Sequence, residues 1–226
     1  MKPERSITDF HAHILPGADH GCTSRSVCEK QLQFAANYNV GTIVSTSHFY
    51  PHIHMAEEFV ELRDRAFADM IDLTEEYGVE VIKGAEVQLC IGLDKMPGIE
   101  KLCIDGTNVM LVEIPDMPMC TEMYDTLSRL GSKFDVLVAH TDRYTRDVVD
   151  KIIYEGYKMQ VNVNSLFDVI KRRSVKKIMD TGLVCALGSD IHGPDKAVYA
   201  NMKKASVKLG DGFDIINTRM NKLLGR

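Results

Sequence analysis

The sequence predicts a parallel α/β fold, either a doubly wound sheet or a barrel, and three observations carry that expectation. Seven short apolar, β-branched runs recur along the chain, and stretches with helical spacing of apolar residues lie between most of them. The runs are nearly all apolar rather than alternating, the mark of strands covered on both faces. Strands that alternate with helices, joined by right-handed crossovers, give a parallel sheet. Periodicity alone does not choose between an open sheet and a closed ring.

The first strand lies around SITDF. SRSVCEKQLQFAANY (24–38) follows as a helix, with Ser24 or Thr23 as its cap. GTIVSTS (41–47) is the second strand, AEEFVELRDRAFADMIDLTEEY (56–77) a long helix closed by Gly78, and VEVIKGAEV (79–87) the third strand. NVMLVEI (108–114), FDVLVAH (134–140), KMQVNVN (158–164) and LVCALGSD (183–190) complete the strands. TEMYDTLSRL (121–130), SLFDVIKRRSVKKIMDTG (165–182) and DKAVYANMKKASVKLG (195–210) are the remaining helical patterns. With 226 residues, 45% of them hydrophobic, and no repeat or Pro/Gly/Ser-rich linker, one domain over 1–226 is expected.

A formal charge of −5 and the lack of a long basic run argue against nucleic acid as a partner. No signal-peptide core and no run of about 18 apolar residues is present, so a cytoplasmic protein without membrane insertion is expected. The six cysteines form no Cys-x-x-Cys pair, which suits reduced, mostly buried thiols.

The chemistry lies at the strand ends. The first strand and its loop carry Asp9, His11, His13, Asp19 and His20; the second ends at His48, the third at Glu86 and the fourth at Glu113. The fifth ends at His140, followed by Asp142 and Arg143, and the seventh at Asp190 and His192. A parallel α/β fold gathers the C-terminal ends of its strands on one face, where sites are built. Each residue has a plainer reading. His11 and His13 share a face simply because they are two apart on a strand, and Asp190 and His192 suit a cap and a surface site. Glu86 and Glu113 are less easily dismissed, because a carboxylate ending a buried apolar strand is costly unless paired or metal-bound. Six coincidences at one topological position favour a site.

Imidazoles and carboxylates without thiolates suit Zn²⁺, Mn²⁺ or Fe rather than calcium. His11, His13, His20, His48, Glu86, Glu113, His140, Asp190 and His192 are too many ligands for one ion, so two or three are expected. Glu86 and Asp190 are suited to bridging, and a water shared by two cations becomes a hydroxide nucleophile near neutral pH. Arg143 is placed at the rim, where its fork of donors matches a phosphate; the plainer alternative is a salt bridge with Asp142 or Asp147.

DFHAHILPGADHG, IVSTSHFYP, GAEV, LVEIP, VAHTDRY and GSDIHG, in that order over almost the whole chain, resemble the PHP (polymerase and histidinol phosphatase) superfamily. Within it the chain looks most like the standalone bacterial tyrosine phosphatases encoded with capsular and exopolysaccharide genes. The resemblance implies a distorted TIM-like (β/α)7 barrel with a trinuclear, often manganese, site on the same nine ligands, and Arg143 as the phosphate-binding arginine. Two departures stand out: His20 replaces an aspartate common among relatives, and Thr141-Asp142 replaces an Ile-Glu pair. Where relatives carry a second basic group after the last ligand pair, only Lys196 is near.

The expected function is a metal-dependent phosphomonoesterase acting on phosphotyrosine in protein, with a bacterial tyrosine kinase among its possible partners. Asp142 is one candidate proton donor. No cysteine has an arginine at the spacing of the cysteine-based phosphatases. Rival readings are a histidinol-phosphate or other small-molecule phosphatase, favoured by His20, and a non-catalytic metal-binding module.

Overall fold

A computed structural model describes residues 6–226. Its strands, all parallel, fall in two arcs. The first arc holds β1 (Ile7–His13), β2 (Val40–Ser45), β4 (Glu80–Lys83) and β10 (Ile191–His192). The second runs β3 (His48–Phe49), β5 (Glu86–Gln88), β6 (Val109–Glu113), β7 (Asp135–Val138), β8 (Lys158–Asn162) and β9 (Val184–Gly188). The third predicted strand is split between the arcs, and the second stays in the first arc, with the chain crossing to β3 just past its expected end. The break is stitched by Gly84 N–H to the Ser45 carbonyl (2.8 Å) and Glu86 N–H to the Ser47 carbonyl (3.0 Å).

The last strand returns to the first. Residues 184–188 pair with β8, residues 191–192 pair with β1, and Asp190 N–H donates to the His11 carbonyl at 2.8 Å. Buried Asp9 clasps the same seam, its Oδ1 accepting the Ser189 amide (2.8 Å) and the His11 amide (3.3 Å). Burial pushes this carboxyl up to about 6, with the Ser189 and His11 contacts opposing. The strands thus follow one another in chain order around a distorted TIM-like ring.

Eight α-helices surround it among the described residues: α1 (Arg25–Asn37), α2 (Ala56–Ala68), α3 (Ile71–Tyr77), α4 (Thr121–Gly131), α5 (Arg146–Glu155), α6 (Arg172–Asp180), α7 (Lys196–Leu209) and α8 (Asp211–Leu223). Ser24 caps α1, its Oγ accepting from Val27 N–H. The single helix expected over 56–77 is broken at Asp69–Met70. Arg25, from α1, donates to the Asp69 carbonyl and the Asp72 carboxylate, satisfying a backbone group the break frees. The helix expected over 165–182 begins only at Arg172, because Asp168 Oδ1 accepts from the Ile170 and Lys171 amides (2.8 and 3.3 Å), a local turn that competes with helix. The periodic stretches above omit α5 and α8. All six cysteines are free; Cys22, Cys28 and Cys103 are buried, the others half-buried.

Candidate metal centre and its cleft

Glu86 lies at the middle of the strand-end cluster. Its Oε2 is 3.3 Å from His11 Nε2, 3.3 Å from His13 Nε2 and 3.0 Å from His48 Nδ1, while Oε1 is 2.7 Å from His140 Nε2. His140 Nε2 is 3.5 Å from Glu113 Oε1. Asp190 Oδ1 lies 3.6 and 3.5 Å from the Nε2 atoms of His11 and His13. His192 Nε2 is 3.3 Å from His48 Nε2, and the His20 ring stacks on His48 with centroids 5.0 Å apart. All nine predicted ligands therefore gather at one end of the ring.

The tautomers follow from the hydrogen bonds. A backbone N–H only donates, so the atom of Gln160 facing His140 N–H is its oxygen, Oε1. That oxygen is also 3.1 Å from His11 Nδ1, which must carry the hydrogen and leave Nε2 as a bare lone pair. His13 Nδ1 donates to Asp19 Oδ2 at 2.7 Å, which bares its Nε2. His192 Nδ1 donates to the Asp190 carbonyl at 3.0 Å, with the same result. The Nε2 atoms of His11 and His13 then face each other at 3.2 Å and both face a carboxylate oxygen. Lone pairs aimed at one another repel unless a cation or a proton lies among them.

Glu86 Oε2 and His48 Nδ1 are also buried, and although they lie 3.0 Å apart neither makes a well-directed hydrogen bond. This donor set fits divalent cations. Among the described residues three overlapping groups have suitable spacing: His13–His48–His192, His11–His13–Asp190 and His48–Glu86–Glu113. Asp19 occupies Nδ1 of His13, so the two groups containing His13 share its one open nitrogen.

Electrostatics agree. Burial would raise Glu86 and lower His11 and His13, but opposite charge wins: the histidines hold Glu86 well below the usual carboxylate range, Glu86 and Asp190 raise His11, and Asp19, Asp190 and Glu86 raise His13 well above the usual imidazole range. Burial likewise opposes ionisation of Asp190 and Asp19, yet the histidines hold both carboxyls low. His140 is lowered by burial but raised more by Glu113 and Glu86, to about 9.

Two backbone features serve this geometry. His140 (φ 26°) and Asp190 (φ 52°) both lie at positive φ, a strained region for residues other than glycine that concentrates at functional sites. At Gly188 a Cβ would come within 2.5 Å of His11 Cβ and 2.7 Å of Gln160 Nε2, so only glycine lets β9 pass so close to β1 and β8.

Arg143 stands at the rim, its side chain 52% exposed, with one guanidinium nitrogen 3.2 Å from Asp190 Oδ2. It borders a cleft of about 660 Å³ walled by Ile114, Met117 and Met119 on one side and Tyr144 and Val148 on the other. Tyr144 Oη accepts the Ile114 amide at 2.9 Å and so ties the two walls together.

Asp142 and Lys196 are placed elsewhere. The buried carboxylate of Asp142 turns away from the cleft, accepting from Asn162 N–H (2.8 Å) and Ser165 Oγ–H (2.5 Å). Those two contacts tie the Arg143 turn to the end of β8 and to the segment that follows it. Lys196 is exposed at the start of α7 and does not line the cleft.

The prediction from sequence missed Gln160 and Asn162. Gln160 Nε2 donates to Asn162 Oδ1 (2.9 Å), and Asn162 Nδ2 donates to Asp190 Oδ2 (2.8 Å), so one amide relay orients His11, His140 and Asp190. The signal was a polar pair two apart in an otherwise apolar strand. Gln160→Leu is expected to weaken divalent-cation affinity about 10–100-fold, checked by titration calorimetry; unchanged affinity would make the relay merely structural.

No curated protein matches the chain. A solved structure described as that of YwqE from Bacillus subtilis and CpsB from Streptococcus pneumoniae, unique metal-dependent tyrosine phosphatases, is similar with a TM-score of 0.76 at 18% identity, covering 94% of this chain and 90% of that one. A TatD-like protein from Archaeoglobus fulgidus is similar at a TM-score of 0.55 and 14% identity, covering 91% and 93%. A family model for capsular polysaccharide synthesis, CpsB/CapC, matches residues 7–218. The chain belongs to the CpsB/CapC family of capsular polysaccharide synthesis.

Proposed function

We propose that residues 1–226 form one metal-dependent phosphatase domain that removes phosphate from phosphotyrosine in protein and thereby regulates capsule or exopolysaccharide assembly. The observation that carries this reading is the cage of bare imidazole nitrogens and carboxylates around Glu86, beside a guanidinium at the mouth of an apolar cleft. Membership in a capsule-synthesis family and likeness to metal-dependent tyrosine phosphatases support it. The domain acts in the cytoplasm, on a phosphoprotein such as a bacterial tyrosine kinase.

His11, His13, His20, His48, Glu86, Glu113, His140, Asp190 and His192 hold two or three divalent ions, manganese by preference, since the donor set is mixed nitrogen and oxygen without sulfur. Bound there, the ions supply Lewis-acid stabilisation of phosphoryl charge and a nucleophile at neutral pH. Arg143 binds the phosphoryl oxygens through its fork, exchanging its contact with Asp190 for the substrate. Met117, Met119 and Tyr144 flank the aryl ring and exclude water from it. A phenol has a pKa of about 10, so its departure needs little help from a general acid, in keeping with the buried position of Asp142.

The test is hydrolysis of para-nitrophenyl phosphate with Mn²⁺, with and without chelator, and then of phosphotyrosyl peptide against histidinol phosphate. Metal-independent turnover, or preference for histidinol phosphate, sinks the reading. Arg143→Ala is expected to raise KM about 10–100-fold with little change in kcat, the loss of one charge-assisted contact made in ground and transition states alike.

A further inference from the structure

Val169 and Ile170, adjacent β-branched side chains, stand almost wholly in solvent at the end of the ring that carries the cleft, 85% and 94% exposed. They sit in the turn built by Asp168, whose carboxylate fixes the two amides that follow Val169. Lys171, Arg172 and Arg173 come next, and Lys176 and Lys177 a turn later, in a chain whose net charge is −5. Lys176 pairs with Asp180 and Lys177 with Asp150, whereas Arg172 and Arg173 are exposed and have no carboxylate partner among the described residues.

This loop is fastened to the cleft. Asp142 accepts from Asn162 and Ser165 at the base of the loop, and Lys171 Nζ comes within 3.9 Å of the same carboxylate, one residue before Arg143. The cleft itself carries acid: Asp116 and Asp147 both line it. An acidic segment leaving the cleft is repelled by those two residues and drawn toward 171–173. Exposed aliphatic side chains beside unpaired cations match a partner that is itself acidic and partly apolar.

We propose that Val169–Arg173 is a docking exosite for the phosphoprotein substrate, taking a segment that bears aspartate, glutamate or a second phosphate, together with an aliphatic side chain, on one side of the phosphotyrosine. The proposal rests on the phosphotyrosine reading above and deepens it.

The test compares wild type with a double variant, Arg172→Glu with Arg173→Glu, and with Ile170→Ser. Three substrates are used with Mn²⁺: para-nitrophenyl phosphate, a phosphotyrosyl peptide flanked by serines, and the same peptide flanked by aspartates and a leucine. Wild type is expected to prefer the acidic peptide about tenfold in kcat/KM, and to lose that preference as ionic strength rises past about 0.15 M. The double variant abolishes the preference, Ile170→Ser reduces it, and both hydrolyse para-nitrophenyl phosphate like wild type, which shows that they fold. Equal kcat/KM for the two peptides in wild type, or a preference kept by the double variant, overturns the exosite while leaving the phosphatase standing. Wild-type binding to phosphatidylglycerol vesicles, lost in the double variant and unaccompanied by peptide preference, also overturns it and assigns the loop to a lipid surface. Should no substrate turn over, fluorescence anisotropy of a labelled phosphonate analogue of the acidic peptide decides: about tenfold weaker binding by the double variant supports the exosite, and equal binding ends it.

Discussion

Asp190→Asn is expected to lower kcat for para-nitrophenyl phosphate by on the order of 10²–10³-fold while the protein stays folded. The position is chosen for its backbone as much as its charge. Asp190 has φ 52°, and asparagine tolerates that left-handed conformation better than any residue but glycine. An amide retains the shape and can still accept from Asn162 Nδ2 and Arg143, now 2.8 and 3.2 Å from Oδ2. It loses the negative charge that lies 3.5–3.6 Å from the Nε2 atoms of His11 and His13. Metal content by elemental analysis and the unfolding midpoint in chelator separate the outcomes. Low turnover with a near-normal midpoint is expected; wild-type turnover in a metal-loaded variant would remove Asp190 from the site.

Chelation should abolish turnover and lower the unfolding midpoint by roughly 10 °C at pH 8, the scale of about 4 kcal/mol of ligand linkage in a chain of this size. The deficit should grow with pH. His140 in the metal-free fold has its pKa raised to about 9, above its unfolded value, so its stabilising contribution is complete below about pH 6.5 and is lost as pH rises through 9. His11 and His13 are shifted the same way. Cation binding has the opposite slope, because imidazoles must release protons to ligate. Unfolding scans from pH 6 to 9, with Mn²⁺ or with chelator, measure the gap. A gap that narrows as pH rises would mean that protons and cations do not compete for these nitrogens.

The strand ends were legible in the sequence because Glu86 and Glu113 close runs that are otherwise apolar, and burial makes such carboxylates conspicuous. Two kinds of feature were hidden. Gln160 and Asn162 are uncharged and alternate within KMQVNVN, so they pass for ordinary strand residues until their partners, up to 149 residues away, are seen. The direction of the Asp142 side chain was hidden because neighbourhood in sequence fixes where a backbone goes and not where a side chain points; its carboxylate faces Asn162 and Ser165. The break between α2 and α3 depends on Arg25, 44 residues upstream of the carbonyl it caps, a distance no local periodicity spans.

The seam where β10 lies against β1 has a consequence for biosynthesis. During translation His11 and His13 emerge long before Asp190 and His192, which follow them by 179 residues. Of the three groups with suitable spacing, His48–Glu86–Glu113 is complete before the final strand is made, whereas the two that contain His13 wait for Asp190 or His192 to dock. Loss of cations from those two groups would then be felt at the pairing of β10 with β1 rather than in the strands that assemble earlier.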